Sequence, residues 1–236
     1  MLKFVELAKK YIILAKYYVS IKKCDFMKRF LIIMLMFASG FSYSQGNVHV
    51  GEILCTDNTF VSRDDFASSG KTALGIVFFV DKTQRHGWAL ALNDASSEIT
   101  WGDTESLCYL DIYNVNTSVL FRDTLGAERC DSIIRTAQRI GWPLATYSSV
   151  VASAIQTGEG WYLPSIGQLM ILYANLPEIN AAIDAIGSGS KMTGQKYWSC
   201  TEENAGLISA WMMRYNGGPL VAPKSNTANV RAIRNF

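Results

Sequence analysis

Lys28 and Arg29 stand before an apolar run from Phe30 to Phe37, which gives way to Ala38-Ser39-Gly40 and then Ser42-Tyr43-Ser44. Cations, a short apolar stretch and small residues in that order form a signal peptide, with Ser42 and Ser44 suited to the −3 and −1 positions of the cleavage site. The competing reading, a membrane anchor, asks for about 20 apolar residues, which this run does not supply before Gly40 breaks it. Residues 27–44 are therefore read as a signal peptide, and the body from Gln45 onward is expected to fold outside the cytoplasm. Residues 1–26 mix lysines with Ile12, Ile13, Leu14 and Tyr17. They are read as an over-called start ahead of Met27 or a disordered leader; an amphipathic surface helix is the alternative. No small-residue run ending in Cys follows the leader, so contact with the membrane is expected only through the signal peptide.

The leader also distorts the charge balance. Residues 1–44 hold eight of the 22 basic residues and two of the 20 acidic ones, which leaves the body with a net charge of −4. A body of that charge has no basic footprint for nucleic acid, and none is expected as a partner. With 49% hydrophobic and 18% charged residues the chain is not disordered, and about 190 residues suit a single secreted domain over 45–236. Cys55, Cys108, Cys130 and Cys200 are four cysteines in an oxidising compartment; they permit three full pairings, and the spacing selects none of them.

Hydrophobic periodicity places strands at both ends of the body and helices between. Val48 to Leu54, Leu74 to Val80 and Trp88 to Leu92 read as strands, the last two as a hairpin across the core; Thr56 to Lys71 reads as a polar loop and Asn93 to Thr124 as a long structured loop. Cys130, Ile133, Ile134, Ala137 and Ile140 form a helical stripe closed by Gly141 and Pro143. Ser165 and Gln168 form a capping box ahead of Ile166, Leu169, Met170, Tyr173 and Leu176. Ile179, Ile183 and Ile186 mark a third helix ending at Gly187. Strands resume at Tyr197 to Thr201, Leu207 to Tyr215 and Asn229 to Phe236. Strands, helices and strands again predict an α+β fold, antiparallel strands with two or three helices packed alongside.

Four blocks carry a resemblance: Gly160-Trp161-Tyr162-Leu163-Pro164-Ser165, Tyr197-Trp198-Ser199-Cys200-Thr201-Glu202, Ala210-Trp211 and Val230-Arg231-Ala232-Ile233-Arg234. In this order and spacing, over about residues 155–236, they resemble the C-terminal domain of collagen-like bacterial adhesins, a domain of unknown function. That family is similar to the C-type lectin fold and, more distantly, to formylglycine-generating enzymes and the variable proteins of diversity-generating retroelements. The resemblance implies a C-type-lectin-like C-terminal half. Gln168 stands where the family carries Glu, which keeps the capping box, and Cys200 where it carries Ser, which weakens the case for a required bridge there.

Physically these blocks read as architecture. Trp161, Trp198 and Trp211 can each bury about 200 Å², a gross contribution of about 5 kcal/mol apiece. Pro164 sets the approach to the helix that Ser165 caps, and Arg231 and Arg234 are expected to pair with Glu202 or Glu203, since a buried arginine requires a partner. No catalytic residue is assigned. His49 and His86 belong to no metal spacing or nucleophile motif, the Glu-Pro-Asn and Trp-Asn-Asp sets of calcium-dependent lectins do not occur, and no cofactor or metal is expected. If Trp211, Met213 and Tyr215 point inward, Met212, Arg214 and Asn216 turn outward. With Lys224 on the Pro-punctuated segment that follows, they form a candidate ligand face. The chain is thus expected to be a non-catalytic binding or adhesion module for an extracellular or envelope protein or glycan. A formylglycine-generating-type enzyme and a structural subunit of a surface appendage are the alternatives.

Overall fold

The computed structural model of the chain describes residues 47–102, 120–203 and 208–236. Its first strands are Ile53–Cys55 (β1) and Phe60–Val61 (β2), followed by helix Arg63–Ser69 (α1) and the hairpin of Ala73–Val80 (β3) and Gly87–Ala91 (β4). Ile76, Val77 and Phe78 are successive and all buried, so β3 is covered on both faces, which is what its unbroken apolar run requires. The expected polar loop over Thr56 to Lys71 instead holds β2 and α1. Ser62 caps α1 by accepting from the Asp65 amide, and Phe66 is its one buried side chain. The expected strand at Val48 shrinks to β1, because residues 47–52 turn to pack Val48 inward. Of the long loop expected over Asn93 to Thr124, Ser96–Thr100 is a strand (β5), and 103–119, with Cys108, lie outside the described residues.

Six helices occur among the described residues. Gly126–Ile140 (α2) buries Cys130, Ile133 and Ala137 and ends with Gly141 in the left-handed conformation, while Ile140, expected on the stripe, is exposed beyond the packed face. Two short helices not expected from the sequence, Leu144–Tyr147 (α3) and Ser149–Ile155 (α4), follow Pro143. After strand Trp161–Tyr162 (β6), helix Ile166–Ala174 (α5) starts at the Ser165–Gln168 capping box, and Pro177 stands in the first turn of the next helix, Leu176–Ile186 (α6). No single helix among the described residues is long and apolar enough to cross a membrane; α5 and α6 pass that test only as a pair bent by 72°.

The C-terminal strands are Tyr197–Glu202 (β7), Ser209–Met213 (β8), Pro219–Pro223 (β9), Thr227–Val230 (β10) and Ile233–Asn235 (β11). The expected strand from Asn229 to Phe236 breaks at Arg231 and Ala232, because the chain there leaves one sheet for the other. A six-stranded sheet runs β2-β1-β3-β4-β11-β6 and a five-stranded sheet runs β5-β10-β7-β8-β9. Among the described residues the pairings are antiparallel apart from a parallel bridge between Asn229 of β10 and Tyr197 of β7. β11 enters the first sheet with Ile233 opposite both Leu90 of β4 and Tyr162 of β6. The architecture is α+β with antiparallel sheets, and Gln45–Phe236 forms one compact unit.

Two of the places where the chain passes between the sheets, from β4 to β5 and from β10 to β11, lie side by side. Ala91 and Ala95 amides donate to Ala232 and Val230 carbonyls at 3.0 and 2.8 Å. Arg231, buried at this seam, donates from Nε to Asp94, from Nη1 to the Ala91 and Leu92 carbonyls at 3.0 Å each, and from Nη2 to the carbonyl and hydroxyl of Ser190 at 2.9 Å each. All five N–H donors of the guanidinium are thereby used. The partner expected at Glu202 or Glu203 is corrected to Asp94; those glutamates lie at the end of β7, whereas Arg231 faces the β4–β5 passage.

Candidate functional site

β8 decides which side chains can meet a ligand. Ala210, Trp211, Met212 and Met213 are all buried, so both faces of this strand are covered and alternation ceases to separate inside from outside. Met212, expected outward, is 1% exposed. Tyr215, expected inward, is 65% exposed, because the strand ends at Met213 and Tyr215 belongs to the turn. The Arg214 amide donates to Gly218 O at 2.9 Å, the Gly217 amide to Arg214 O at 2.9 Å, and the Gly218 amide to Asn216 Oδ1 at 3.3 Å. Gly217 sits at φ 81°, a conformation that a side chain would strain. Arg214, Tyr215 and Asn216 are thus all exposed on a hydrogen-bonded turn at the end of a buried strand.

Lys224, the fourth residue of the expected face, is corrected to a buried cation. It is 0% exposed, pairs with Glu202, and lies 4.3 Å from the centre of the Trp101 ring. The Trp101 amide donates to the Lys224 carbonyl at 2.9 Å, which turns the lysine over the indole and away from solvent. Position in a Pro-punctuated segment suggested exposure, but Pro219–Pro223 is strand β9, and its end delivers Lys224 under the sheet.

The tryptophans form the frame around these positions. Trp161 lies over the six-stranded sheet, where a side chain at Gly75 would stand 3.2 Å from its ring, and the Arg234 guanidinium is stacked at 5.7 Å on that ring. Trp198 donates to Ile99 O at 3.0 Å and Trp101 to Ser199 O at 2.9 Å, so each indole of this pair ties β5 or its end to β7. Trp211 is buried in β8.

An open cleft of about 430 Å³ lies where the β4–β5 passage faces the end of α4. Ala73, Ala91 and Trp161 line its apolar side, and Asn93, Gln156 and Thr157 contribute amide and hydroxyl groups. Asp94 also borders it, but its carboxylate already receives Arg231 Nε, Asn229 Nδ2 at 2.7 Å and Tyr197 Oη at 3.3 Å. Burial raises the Tyr197 phenol to about 12, with the nearby Arg231 charge opposing that rise. The Asp94 carboxylate at this part of the cleft is therefore engaged by partners within the fold.

A third polar cluster is buried except where it reaches the exposed Asn235. Asp123 accepts from Arg129 at 3.0 Å and from the Thr201 hydroxyl at 2.6 Å; Gln168 donates to Tyr162 Oη at 3.2 Å, and Tyr162 donates to Asn235 at 2.6 Å. Pro164 and Ser165 sit inside this cluster, with the Cys200 amide donating to Pro164 O at 2.9 Å and the Ser165 hydroxyl to Asp123 O at 2.5 Å. Burial pushes the Tyr162 phenol well above its ordinary range. Cys55, Cys130 and Cys200 are free and buried. His49 and His86 are both exposed, and His49 faces Glu52 at 3.4 Å. Among the described residues no group of three or more His, Cys, Asp or Glu side chains is placed to hold a metal.

No family model and no curated protein matches the chain. Among solved structures it is similar in fold to a fimbrial protein from Bacteroides ovatus, with a TM-score of 0.59 at 17% identity, covering 80% of this chain and 49% of that one. The chain therefore spans about half the length of the fimbrial protein, and at this identity the likeness is one of fold.

Proposed function

We propose that the chain is an exported, non-catalytic recognition module with a C-type-lectin-like fold, which meets a protein or glycan ligand through the turn at Arg214, Tyr215 and Asn216. The observation that carries this reading is the exposure of those three side chains together on a turn held by backbone hydrogen bonds. Tyr and Arg dominate binding hot spots, because a rigid aromatic ring and a forked cation give contact area and hydrogen bonds at low entropic cost. Asn216 adds an adaptable amide. The internal use of the Asp94, Asp123 and Arg231 charges favours binding over a proton-transfer role for them. Binding of the full chain to glycan and protein arrays tests this: a Tyr215→Ala, Arg214→Ala double variant should lose signal by at least about tenfold. A double variant that binds as the parent does removes the proposed face.

A second reading is a structural subunit of a surface appendage, favoured by the fold shared with a fimbrial protein. Co-purification with other envelope proteins, unchanged by the Tyr215→Ala, Arg214→Ala substitutions, would select it over the first. The formylglycine-generating-type alternative draws little support from the geometry, since the Cys130 and Cys200 thiols are buried in the core and line no groove.

A further inference from the structure

Cys130 and Cys200 are 70 positions apart in the sequence, yet the same two pieces of backbone hold both. Cys200 Sγ donates to the Gly126 carbonyl at 3.7 Å. In helix α2 that carbonyl lies four residues before Cys130, one turn below it. Side chains of a helix tilt toward its N-terminus, so the Cys130 thiol is directed down onto the same turn. The second anchor is the Leu163–Pro164 peptide. Cys130 Sγ donates to Leu163 O at 3.4 Å, and the Cys200 amide donates to Pro164 O at 2.9 Å. The two sulfurs are thus fixed against each other where α2 packs on β7. Burial and then the adjacent Cys130 thiol push the Cys200 thiol well above its ordinary range. Cys55 is remote from this place: it sits in β1 and donates to Ile53 O of its own strand at 3.8 Å.

We propose that Cys130 and Cys200 are a disulfide site, a pair that closes in an oxidising compartment and fastens α2 to β7. The proposal rests on the export reading given above. Closure proceeds by thiol–disulfide exchange with a disulfide donor, such as oxidised glutathione or a dithiol oxidase of the envelope. One cysteine thiolate attacks the donor to form a mixed disulfide, and the second displaces the donor thiol. The sulfur–sulfur bond of the protein forms, the donor disulfide is reduced to two thiols, and the two protons lost by the cysteines end on those thiols. Exchange takes place before the core closes, because both thiols are buried in the folded chain. The bond would enclose helices α3 to α6 and strand β6 in one covalent loop, stabilising them by limiting the unfolded chain.

The test refolds the full chain from denaturant in a reduced and oxidised glutathione buffer, digests it without reduction and maps linked peptides by mass spectrometry. A dominant Cys130–Cys200 link is expected, retained in a Cys55→Ser, Cys108→Ser variant, with a melting point raised by about 5–15 °C over the reduced chain. Links to Cys55 or Cys108 in its place, or complete alkylation of Cys130 and Cys200 after unfolding, would overturn the pairing. The same mapping of chain recovered from cell envelope and cytoplasm separates the two readings. A link that forms on refolding while no chain reaches the envelope leaves the pairing standing and removes export; envelope chain with both thiols reduced removes the pairing.

Discussion

Arg231 and Asp94, 137 positions apart, form an ion pair between two passages of the chain from one sheet to the other, β4 to β5 and β10 to β11. The pair sits beside the main-chain bonds Ala91 to Ala232 and Ala95 to Val230, so it ties one path out of the first sheet to one path back into it. Removing the arginine leaves a carboxylate with less compensation and four acceptors without their donor. Arg231→Ala is expected to cost about 3–5 kcal/mol in urea unfolding. Arg231→Lys should recover less than half of that, because a lysine cannot reproduce the guanidinium fork. Retention of parental stability in Arg231→Lys would show that the fork is dispensable.

Lys224 and Arg214 separate stability from recognition. Lys224→Ala should lose about 3 kcal/mol, since it removes a buried partner of Glu202 and a cation packed on Trp101. Arg214→Ala, at an exposed turn, should stay within about 0.5 kcal/mol of the parent. Thermal melts of the two variants side by side check the contrast, and equal losses would contradict the assigned burial.

Gly167 offers a test by sign. A glycine within a helix ordinarily gains about 0.5–1 kcal/mol when replaced by alanine. Here the added carbon would stand 2.2 Å from the Asp123 carbonyl oxygen and 2.7 Å from that of Leu120. Gly167→Ala should therefore destabilise, by about 2 kcal/mol or more, as the segment before α2 is pushed off α5. A stabilised variant in chemical denaturation would show that this approach is looser than described.

Alkali should unfold the chain. Burial raises the phenols of Tyr162, Tyr173 and Tyr197, the last to about 12 from an ordinary value of 10.0. Between pH 10 and 12 the unfolded chain has released protons that the folded chain still holds. Stability is thus complete below pH 10 and falls as pH rises toward 12. Urea midpoints at pH 8 and pH 11 test this, and an unchanged midpoint would refute the raised values.

What was legible in the sequence follows from how far each cause reaches along the chain. The β3–β4 hairpin, the stripe of α2 and the Ser165–Gln168 box arise from residues within a few positions of one another, and they occur where the pattern places them. Helix α4 was missed because Val150 to Ala154 are all buried, leaving no polar side to give the stripe contrast. α1 was missed for the opposite reason: only Phe66 is buried, so no apolar stripe marks the helix. The ligand face went astray because a strand covered on both faces carries no alternation, and because Lys224 finds Glu202 22 positions away. The Asp94 partner of Arg231 depends on the crossing between sheets, which no local pattern encodes.

The margin of the five-stranded sheet at β9 has its own consequence. Arg214 and Lys224 amides donate to Gly218 and Ile208 carbonyls, and antiparallel alternation carries the same bonding to Leu220 and Ala222. Positions 219, 221 and 223 then point away from the sheet, and two of these are prolines, so Val221 alone offers an outward N–H. A neighbouring molecule seeking to continue the ladder there would find one donor where it needs three. Extension of this sheet by a further strand is therefore disfavoured at this margin.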